Sequence, residues 1–281
     1  MTPNPKIVSL FIYPVKSCAG IEVKSVNVTP RGPQYDRDWM LIDADSKIFL
    51  SQRVLPLMAK IQTRLTTTHM ILGIPQPDES VKEFQFPLSA PNDHRPMLEV
   101  QVWEDTCAAY DEGAEVAQAL TEFLGKPSVR LVRMPETTKR LVPEKFNQQP
   151  GSHVSFADAF SFLLMTTESL DDLNVKLSAK LSPPVTMNRF RPNIVVSGGR
   201  PYEEDSWENV RIGLIDFQSP KLCDRCLIVN TDQTTGLRSH EPLKTLATYR
   251  RGEKGKVYFG QNLTHMNMGQ LNIGDELKLR S

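Results

Sequence analysis

The 281-residue chain has no apolar run near the roughly 20 residues that a membrane-spanning helix needs. Its 33 basic residues balance its 33 acidic ones, so no overall field favours nucleic acid or a membrane surface as a partner. The four cysteines stand at irregular spacings, which favours a reducing compartment over a disulfide framework. A strand-like segment begins close to the N-terminus. We therefore expect no signal or transit peptide and a cytoplasmic protein.

Sequence patterns for several common chemistries are missing as well. The chain has no glycine-rich dinucleotide motif and no phosphate-binding loop. Its five histidines are scattered without metal-ligand spacing, and none accompanies a serine in a nucleophile elbow. A hydrolase triad is therefore not supported. If the protein performs redox chemistry, its electrons must come from a cofactor or partner that no nicotinamide motif signals.

What the sequence does contain is a pair of cysteines three positions apart, Cys223 and Cys226. A closed zinc site needs four ligands, and Cys18 and Cys107 stand alone, so a zinc ribbon is not supported. A thioredoxin-like dithiol normally opens a helix, whereas the β-branched run at residues 227–231 predicts a strand. Side chains three apart on a strand point to opposite faces. We therefore predict one functional thiolate, with two buried, inert cysteines as the alternative.

Short apolar segments separated by Pro, Gly, Asn or Asp predict a fold rich in strands. These segments lie at residues 7–13, 39–42, 97–103, 193–197, 210–217 and 256–259. Apolar residues at helical spacing predict three helices, at residues 114–124, 169–177 and 243–249. The polar segment 65–96 predicts loops or a weak hairpin. A second polar segment, 136–151, predicts an interdomain connection or a pocket-covering loop.

Polar clusters lie next to several of these strand-like segments. Lys16 and Ser17 follow an early strand, where a cation and a hydroxyl in a turn suit an anionic oxygen such as phosphate. Arg37 stands between two carboxylates, which could hold it as a bidentate phosphate clamp or within a structural ion-pair network. Arg53, in the polar string Ser-Gln-Arg at 51–53, is likewise a polar group at the end of a strand-like segment.

Two further clusters lie in the second half of the chain. Arg189 and Arg191 occupy alternate positions and can share one face, and Asn193 adds a donor and an acceptor. Asp158 is an isolated acid among apolar residues. It is either a turn former or a buried functional carboxylate, and the residues alone leave both interpretations open.

Taken in order, these clusters resemble one family, the MOSC-domain molybdenum proteins with the associated N-terminal MOSC domain. The matching strings include Ile-Tyr-Pro-Val-Lys-Ser at 12–17, Asp-Arg-Asp-Trp at 36–39, Phe-Arg-Pro-Asn-Ile-Val at 190–195, Glu-Asp-Ser-Trp at 204–207 and Cys-Asp-Arg-Cys at 223–226. Glu-Pro-Leu at 241–243 and Phe-Gly-Gln-Asn at 259–262 follow in the expected order. The resemblance covers essentially the whole chain. It extends to two branches: the mitochondrial amidoxime-reducing components with bacterial relatives that detoxify hydroxylaminopurine, and the C-terminal part of molybdenum-cofactor sulfurase.

The resemblance implies an α+β, β-rich fold with two domains. An N-terminal mixed α/β MOSC-associated domain would occupy residues 1–135. A MOSC-type β-barrel with peripheral helices would occupy residues 136–281, and early strands of the N-terminal segment could complete it. The resemblance also implies a pyranopterin molybdenum cofactor, Mo-molybdopterin, held by its dithiolene, its phosphate and one protein thiolate.

Carried over by position, the metal-ligating catalytic thiolate is Cys226, and Asp158 is a catalytic acid near the metal. The resemblance assigns cofactor binding to Lys16, Ser17, Arg37, Arg53, Arg191, Asn193 and Arg225. A guanidinium next to the thiolate would favour its ionised form. Cys223 keeps a structural role, because it would face the other way. After Asp158 the animal enzymes have hydroxyl residues, whereas Ala159 and Phe160 stand here.

The family implies a molybdenum-dependent oxidoreductase that reduces small N-hydroxylated compounds, such as amidoximes or hydroxylamino bases. Electrons would come from a separate carrier, in the family commonly cytochrome b5 and its reductase. One alternative is a module that binds and hands over the cofactor without turnover, as the sulfurase C-terminal part does. Another is a degenerate MOSC protein without metal. Pyridoxal phosphate binding is expected only at the family level, because it belongs to the sulfurase half that this sequence lacks.

Overall fold

The computed structural model describes residues 4–89, 95–142 and 152–280. The structure is 17% helical and 41% strand, which confirms the β-rich fold expected from the sequence. Strands β1 to β11 lie at Lys6–Ile12, Ile21–Val23, Ser25–Thr29, Gly32–Pro33, Trp39–Asp43, Gln62–Leu65, His69–Pro75, Val81–Pro87, Met97–Val102, Asp105–Asp111 and Val129–Arg133. Strands β12 to β20 lie at Arg140–Leu141, His153–Val154, Phe162–Thr166, Ile194–Ser197, Asn209–Ile212, Ile215–Asp224, Tyr258–His265, Gly269–Asn272 and Leu277–Leu279. Helices α1 to α3 lie at Ala114–Leu124, Thr167–Ser178 and Leu243–Leu246.

The largest sheet has eight strands in the order β2-β1-β15-β14-β18-β17-β16-β20. β1 pairs antiparallel with β15 through Leu10 and Ile194, so the first strand of the chain lies beside a strand from its second half. β14 and β15 run parallel. Leu10, Leu164, Ile194 and Phe217 are buried in one apolar cluster on this sheet. Removing these side chains from water is the main favourable term that holds the strands together.

A second layer is built from residues of the first half of the chain. β5, β11, β10 and β9 form a four-stranded sheet, and β6, β7 and β8 form a three-stranded one. The predicted helix at 114–124 is confirmed as α1, which ends at Gly125 in the left-handed region with φ 61°. Its Leu120 packs in a core with Trp39 and Met70.

The segment 65–96 is more ordered than the sequence suggested. β7 and β8 form an antiparallel hairpin of seven residue pairs, from His69 opposite Pro87 to Pro75 opposite Val81. The loop interpretation was wrong here, and the hairpin interpretation was nearer. The sequence signal was weak because apolar residues of β7 are buried consecutively, so this strand lacks period-two alternation. Residues 90–94 of this segment lie outside the described part of the chain.

The strand predicted at residues 227–231 is wrong. Leu227–Asn230 is a single 3₁₀ turn, and the strand lies before it, because β17 continues to Asp224. β17 pairs with β18 as far as the Asp224–Tyr258 match. Beyond that point the backbone bonds become local, with Val229 N donating to the carbonyl of Cys226. Pairing with a neighbouring strand, not β propensity, decided where the strand ends.

Other element boundaries also moved. The segment 210–217 splits into β16 and β17, a tight hairpin whose turn contains Gly213 at φ 59°. α2 begins at Thr167, two residues before the predicted start, and Thr166 caps it by accepting a hydrogen bond from Ser169 N. α3 is shorter than the predicted 243–249. In the polar segment 136–151, β12 pairs with β13, and residues 143–151 lie outside the described part. No helix in the described ranges is long and apolar enough to cross a bilayer.

Candidate functional site

A cavity of about 230 Å³ is lined by residues from both halves of the chain. Its walls come from segments at strand ends: after β1, before β5, before β14, before β15 and after β17. Such segments leave the regular ladder, so their side chains can converge on one volume. The cavity brings together every side chain expected for the site: Lys16, Ser17, Arg37, Arg53, Asp158, Arg191, Asn193, Arg225 and Cys226.

Three of these residues have left-handed backbone conformations. Ser17 has φ 65°, Arg37 has φ 55° and Arg191 has φ 57°. For residues other than glycine this costs on the order of 1–3 kcal/mol each, and such residues cluster at functional sites. The surrounding hydrogen bonds hold them there: Arg37 N donates to the carbonyl of Tyr13 at 2.7 Å.

A buried aromatic ring carries two of the guanidinium groups. The Cζ atoms of Arg37 and Arg191 lie 4.5 and 4.2 Å from the ring centroid of Tyr13. Arg37 also forms an ion pair with the buried carboxylate of Asp36. Desolvation lowers the pKa of Arg191 to about 10, which leaves it a cation at neutral pH. Its Nη1 donates to the carbonyl of Cys18 at 2.6 Å, while its buried Nη2 has no partner among the described residues.

Asn193 is fully engaged within the protein. Its Oδ1 accepts from Arg37 Nη1 at 3.3 Å and from Leu163 N at 3.2 Å. Its Nδ2 donates to the carbonyl of Phe11 at 3.2 Å and to Asp36 Oδ1 at 3.1 Å. These four bonds use the full capacity of the amide. Asn193 therefore positions Arg37 and Asp36.

Lys16 and Asp158 form an ion pair at the cavity wall. Lys16 Nζ donates to Asp158 Oδ1 at 2.5 Å and to the carbonyl of Phe156 at 2.8 Å. Burial lowers the pKa of Lys16, and the charge of Asp158 opposes this shift. The pKa of Asp158 is lowered well below its usual range: desolvation opposes the shift, but the Lys16 charge and hydrogen bonds from Lys16 and Trp103 outweigh it. The Asp158 side chain has 61% of its surface accessible, so it faces the solvent-exposed side of the cavity as an ionised hydrogen-bond acceptor.

Both cysteines of the pair line the same cavity. Cys226 Sγ accepts from Arg53 Nε at 3.4 Å, and Cys223 Sγ accepts from Arg225 Nη1 at 2.9 Å. The expectation that Cys223 faces away was therefore wrong. The alternation that predicted it requires both residues on one strand, and β17 ends between them. Burial raises the pKa of the Cys223 thiol, and the charge of Arg225 opposes that shift.

Arg225 connects this cysteine to the rest of the wall. Its Nη2 donates to the carbonyl of Phe190 at 2.6 Å. Its Nε is buried and has no partner in the described part of the chain. Arg225 and Arg191 thus each hold a buried N–H-bearing nitrogen without a partner, and such a group is costly unless something accepts from it.

The sequence reasoning missed Trp103. Its ring lies 4.4 Å from Arg53 Cζ, and its Nε1 donates to Asp158 Oδ1 at 3.0 Å. It therefore holds both the arginine that contacts Cys226 and the acid that pairs with Lys16. Trp103 has φ 57° in the turn between β9 and β10. The sequence offered only an aromatic residue at the end of a predicted strand, which is an ordinary core signal.

Comparison with known proteins identifies the family. The model of the MOSC N-terminal beta barrel domain matches residues 4–127, and that of the MOSC domain matches residues 151–278. Mitochondrial amidoxime-reducing component 1 of Mus musculus is 32% identical over 289 residues, which cover 97% of this chain and 82% of the relative. The chain belongs to the MOSC family. The family resemblance read from the sequence is thereby confirmed.

Two further relatives of this MOSC protein are plant molybdenum cofactor sulfurases. The one from Oryza sativa is 36% identical over 264 residues, 90% of this chain and 31% of the relative. The one from Arabidopsis thaliana is 33% identical over 279 residues, 94% of this chain and 33% of the relative. The chain thus spans about a third of these sulfurases. The solved YuaD protein from Bacillus subtilis covers 98% of this chain and 94% of its own at 10% identity, and its TM-score of 0.40 supports no conclusion.

The sulfurase relatives are named for the molybdenum cofactor, and the side chains that line the cavity of this protein suit such a group. Seven basic and two acidic side chains line it, an excess of positive charge that suits a phosphate. The buried, unpartnered nitrogens of Arg191 and Arg225 suit acceptor oxygens or ring nitrogens. Thiols are the soft ligands that such a metal accepts. Among the described residues, no group of three or more His, Cys, Asp or Glu side chains could hold a metal ion.

Proposed function

We propose that this MOSC protein is a molybdenum-cofactor-dependent reductase of small N-hydroxylated compounds such as amidoximes and hydroxylamino bases. One observation carries the proposal: a thiol, an ionised carboxylate and an excess of cations line one cavity. The names of the amidoxime-reducing relatives support an oxidoreductase with small-molecule substrates.

Each wall of the cavity has a role in this proposal. Cys226 would ligate the metal, and Arg53 would hold the sulfur through its Nε contact. Arg191 and Arg225 would donate their unpartnered nitrogens to the cofactor. Arg37 would contribute a fixed charge, because Asp36 and Asn193 hold it in place. Lys16 and Ser17 complete the proposed contacts to the phosphate and the pterin.

Removal of oxygen from an N–OH group consumes two electrons and two protons and releases water. When bound, the molybdenum cofactor would supply the redox chemistry. Asp158 is ionised, so it would accept a hydrogen bond from the N–H or O–H of the substrate and orient it. Lys16 would hold that carboxylate in place through its 2.5 Å hydrogen bond, and the two protons would come from solvent water.

Metal analysis together with a turnover assay tests the proposal. The protein, produced with ample molybdate, should contain molybdenum and reduce benzamidoxime to benzamidine with an artificial electron donor. Protein without molybdenum under these conditions would overturn the assignment. Bound molybdenum without turnover would favour the module that carries the cofactor, a function that the sulfurase relatives support.

The two cysteines provide a matched pair of variants for the ligand assignment. Cys226→Ser should abolish turnover and leave the fold intact. Cys223 lines the same cavity and has its own guanidinium contact, so it is the matched control. The Cys223→Ser variant should retain most of the activity. Equal losses in both variants would refute the assignment of Cys226 as the single ligand.

Several finer expectations stand as proposals. The electron donor would be a separate carrier such as cytochrome b5 with its reductase. The domain division after residue 135, the cytoplasmic location and pyridoxal phosphate binding at the family level also remain predictions. An assay with purified electron carriers would test the proposed donor, and cell fractionation would test the cytoplasmic location.

A further inference from the structure

A second concave surface lies on the other side of Arg225. This groove has a volume of about 610 Å³, and Arg225 lines both it and the cofactor cavity. Its other basic side chains are His240, Lys244, Arg251 and Lys256. None of the described side chains that line it is acidic. The groove is therefore a concentrated patch of donors and positive charge.

Most of this charge is not neutralised by the protein. Lys244 has no ion-pair or hydrogen-bond partner for its side chain among the described residues, and Arg251 contacts only the carbonyl of Gly255, at 3.4 Å. Lys256 is the exception, because its Nζ lies 2.7 Å from Asp224 Oδ2. Lys244 and Arg251, which line this groove and not the cofactor cavity, therefore remain available to an external anion.

We propose that this groove is an anion-binding site, separate from the cofactor cavity, for a phosphate-bearing small molecule of the nucleoside phosphate class. Arginine and lysine together suit phosphate, since the guanidinium binds two oxygens in its plane and the ammonium adds a point charge. Leu227, which is 51% exposed, and Leu243 also line the groove. They offer an apolar surface to the organic part of such a ligand.

The size of the groove favours a small ligand over a protein surface. Its volume lies within the range of about 300–1,000 Å³ that is usual for small-molecule sites. Lys244 and Arg251 do not line the cofactor cavity, so the site requires no cofactor. The inference therefore goes beyond the proposed reductase function and stands or falls independently of it.

Binding to the cofactor-free protein tests the proposal directly. Titration calorimetry at low ionic strength should detect binding of pyrophosphate and of ADP. The variant Lys244→Gln with Arg251→Gln should weaken both by about tenfold or more, because two charge-assisted hydrogen bonds to the phosphate are lost. The charge-keeping variant Lys244→Arg with Arg251→Lys should retain binding.

A matched control removes two lysines elsewhere. Lys24 and Lys278 are exposed and line neither concave surface. The variant Lys24→Gln with Lys278→Gln should bind as the wild type does, and equal weakening would overturn the proposal as non-specific attraction. No binding to the wild type would also overturn it.

Two comparisons separate the sources of the anion. ADP binding more tightly than pyrophosphate supports an organic phosphate that uses Leu227 and Leu243, whereas equal affinities would overturn the nucleoside phosphate class in favour of the free anion. An oligoglutamate peptide that displaces pyrophosphate and binds more tightly would overturn the small-molecule assignment in favour of an acidic protein. Benzamidoxime reduction by the Lys244→Gln, Arg251→Gln variant should be unchanged, because neither residue belongs to the cofactor cavity.

Discussion

Replacing Glu204 by glutamine should remove a pH dependence of the folding stability. Glu204 has no accessible surface, and its carboxyl oxygens accept hydrogen bonds from the hydroxyl groups of Ser169 and Thr166. No cation forms an ion pair with it in the described ranges. Burial raises its pKa to about 7 from an ordinary value of 4.5, the neighbouring charge of Asp205 adds to the shift, and the hydroxyl hydrogen bonds oppose it.

The sign and size of the effect follow from proton linkage. Because the folded chain binds this proton more tightly than the unfolded chain, the stabilisation is fully present below the ordinary pKa. It is lost as the pH rises through the folded-state pKa of Glu204. At about 1.4 kcal/mol per pKa unit, the loss is about 2–3 kcal/mol between roughly pH 5 and pH 8. Glutamine does not titrate and should not show this loss.

Urea unfolding of the wild type and of Glu204→Gln across this pH range measures the effect. The free energy of unfolding of the variant, relative to the wild type, should rise by about 2–3 kcal/mol towards pH 8. Glu208→Gln is the matched control, because Glu208 is exposed in the same segment, and its pH profile should parallel that of the wild type. Parallel profiles for Glu204→Gln and the wild type would refute the reasoning.

Three further predictions concern the cavity and its sheet. Asp158→Asn should lower the free energy of unfolding by on the order of 1 kcal/mol at neutral pH, a modest value because the Asp158 side chain is largely exposed. The difference should vanish in acid, since a carboxylate with a lowered pKa stabilises the fold only above its ordinary pKa, and urea unfolding at both pH values measures it. Trp103→Phe keeps an aromatic ring against Arg53 but loses the hydrogen-bond donor to Asp158, whereas Trp103→Ala loses both. Benzamidoxime turnover should therefore be about fivefold to tenfold lower in Trp103→Ala than in Trp103→Phe, and equal losses would contradict a role for the ring in holding Arg53. Gly260 has φ 82°, and a Cβ added there would lie 2.9 Å from the carbonyl oxygen of Leu164 on β14. Gly260→Ala should therefore lower the free energy of unfolding by about 2–4 kcal/mol, and an unchanged thermal midpoint would contradict this steric argument.

The residues of the site could be named from the sequence, but their individual contacts could not. Short motifs such as those around Lys16, Arg37 and Arg191 identify residue types, and the family resemblance supplies their common purpose. Nothing local indicates that the Tyr13 ring lies against both Arg37 and Arg191. Nothing local indicates that the amide of Asn193 is already saturated by other protein groups. Those contacts join residues far apart in the chain.

The cysteine pair shows the same division. Its spacing and the arginine between its members are written in the sequence, and they drew attention to this segment first. Whether both thiols face one cavity depends on where β17 stops pairing with β18. The β-branched run after Cys226 predicted a strand there, but the residues that pair with β18 are those of β17, which ends before Cys226. Local propensity differences are small, and pairing with a neighbouring strand overrides them.

By itself, the sequence determined the β-rich class, helix α1 with its glycine stop, the family and the set of candidate residues, because these depend on composition, periodicity and ordered motifs. Only the tertiary structure decided the β7–β8 hairpin, the role of Trp103, the common orientation of Cys223 and Cys226, and the basic groove beyond Arg225. Each of these depends on segments distant in the chain that come together when strands such as β1 and β15 pair. Contacts of that kind have no local signature.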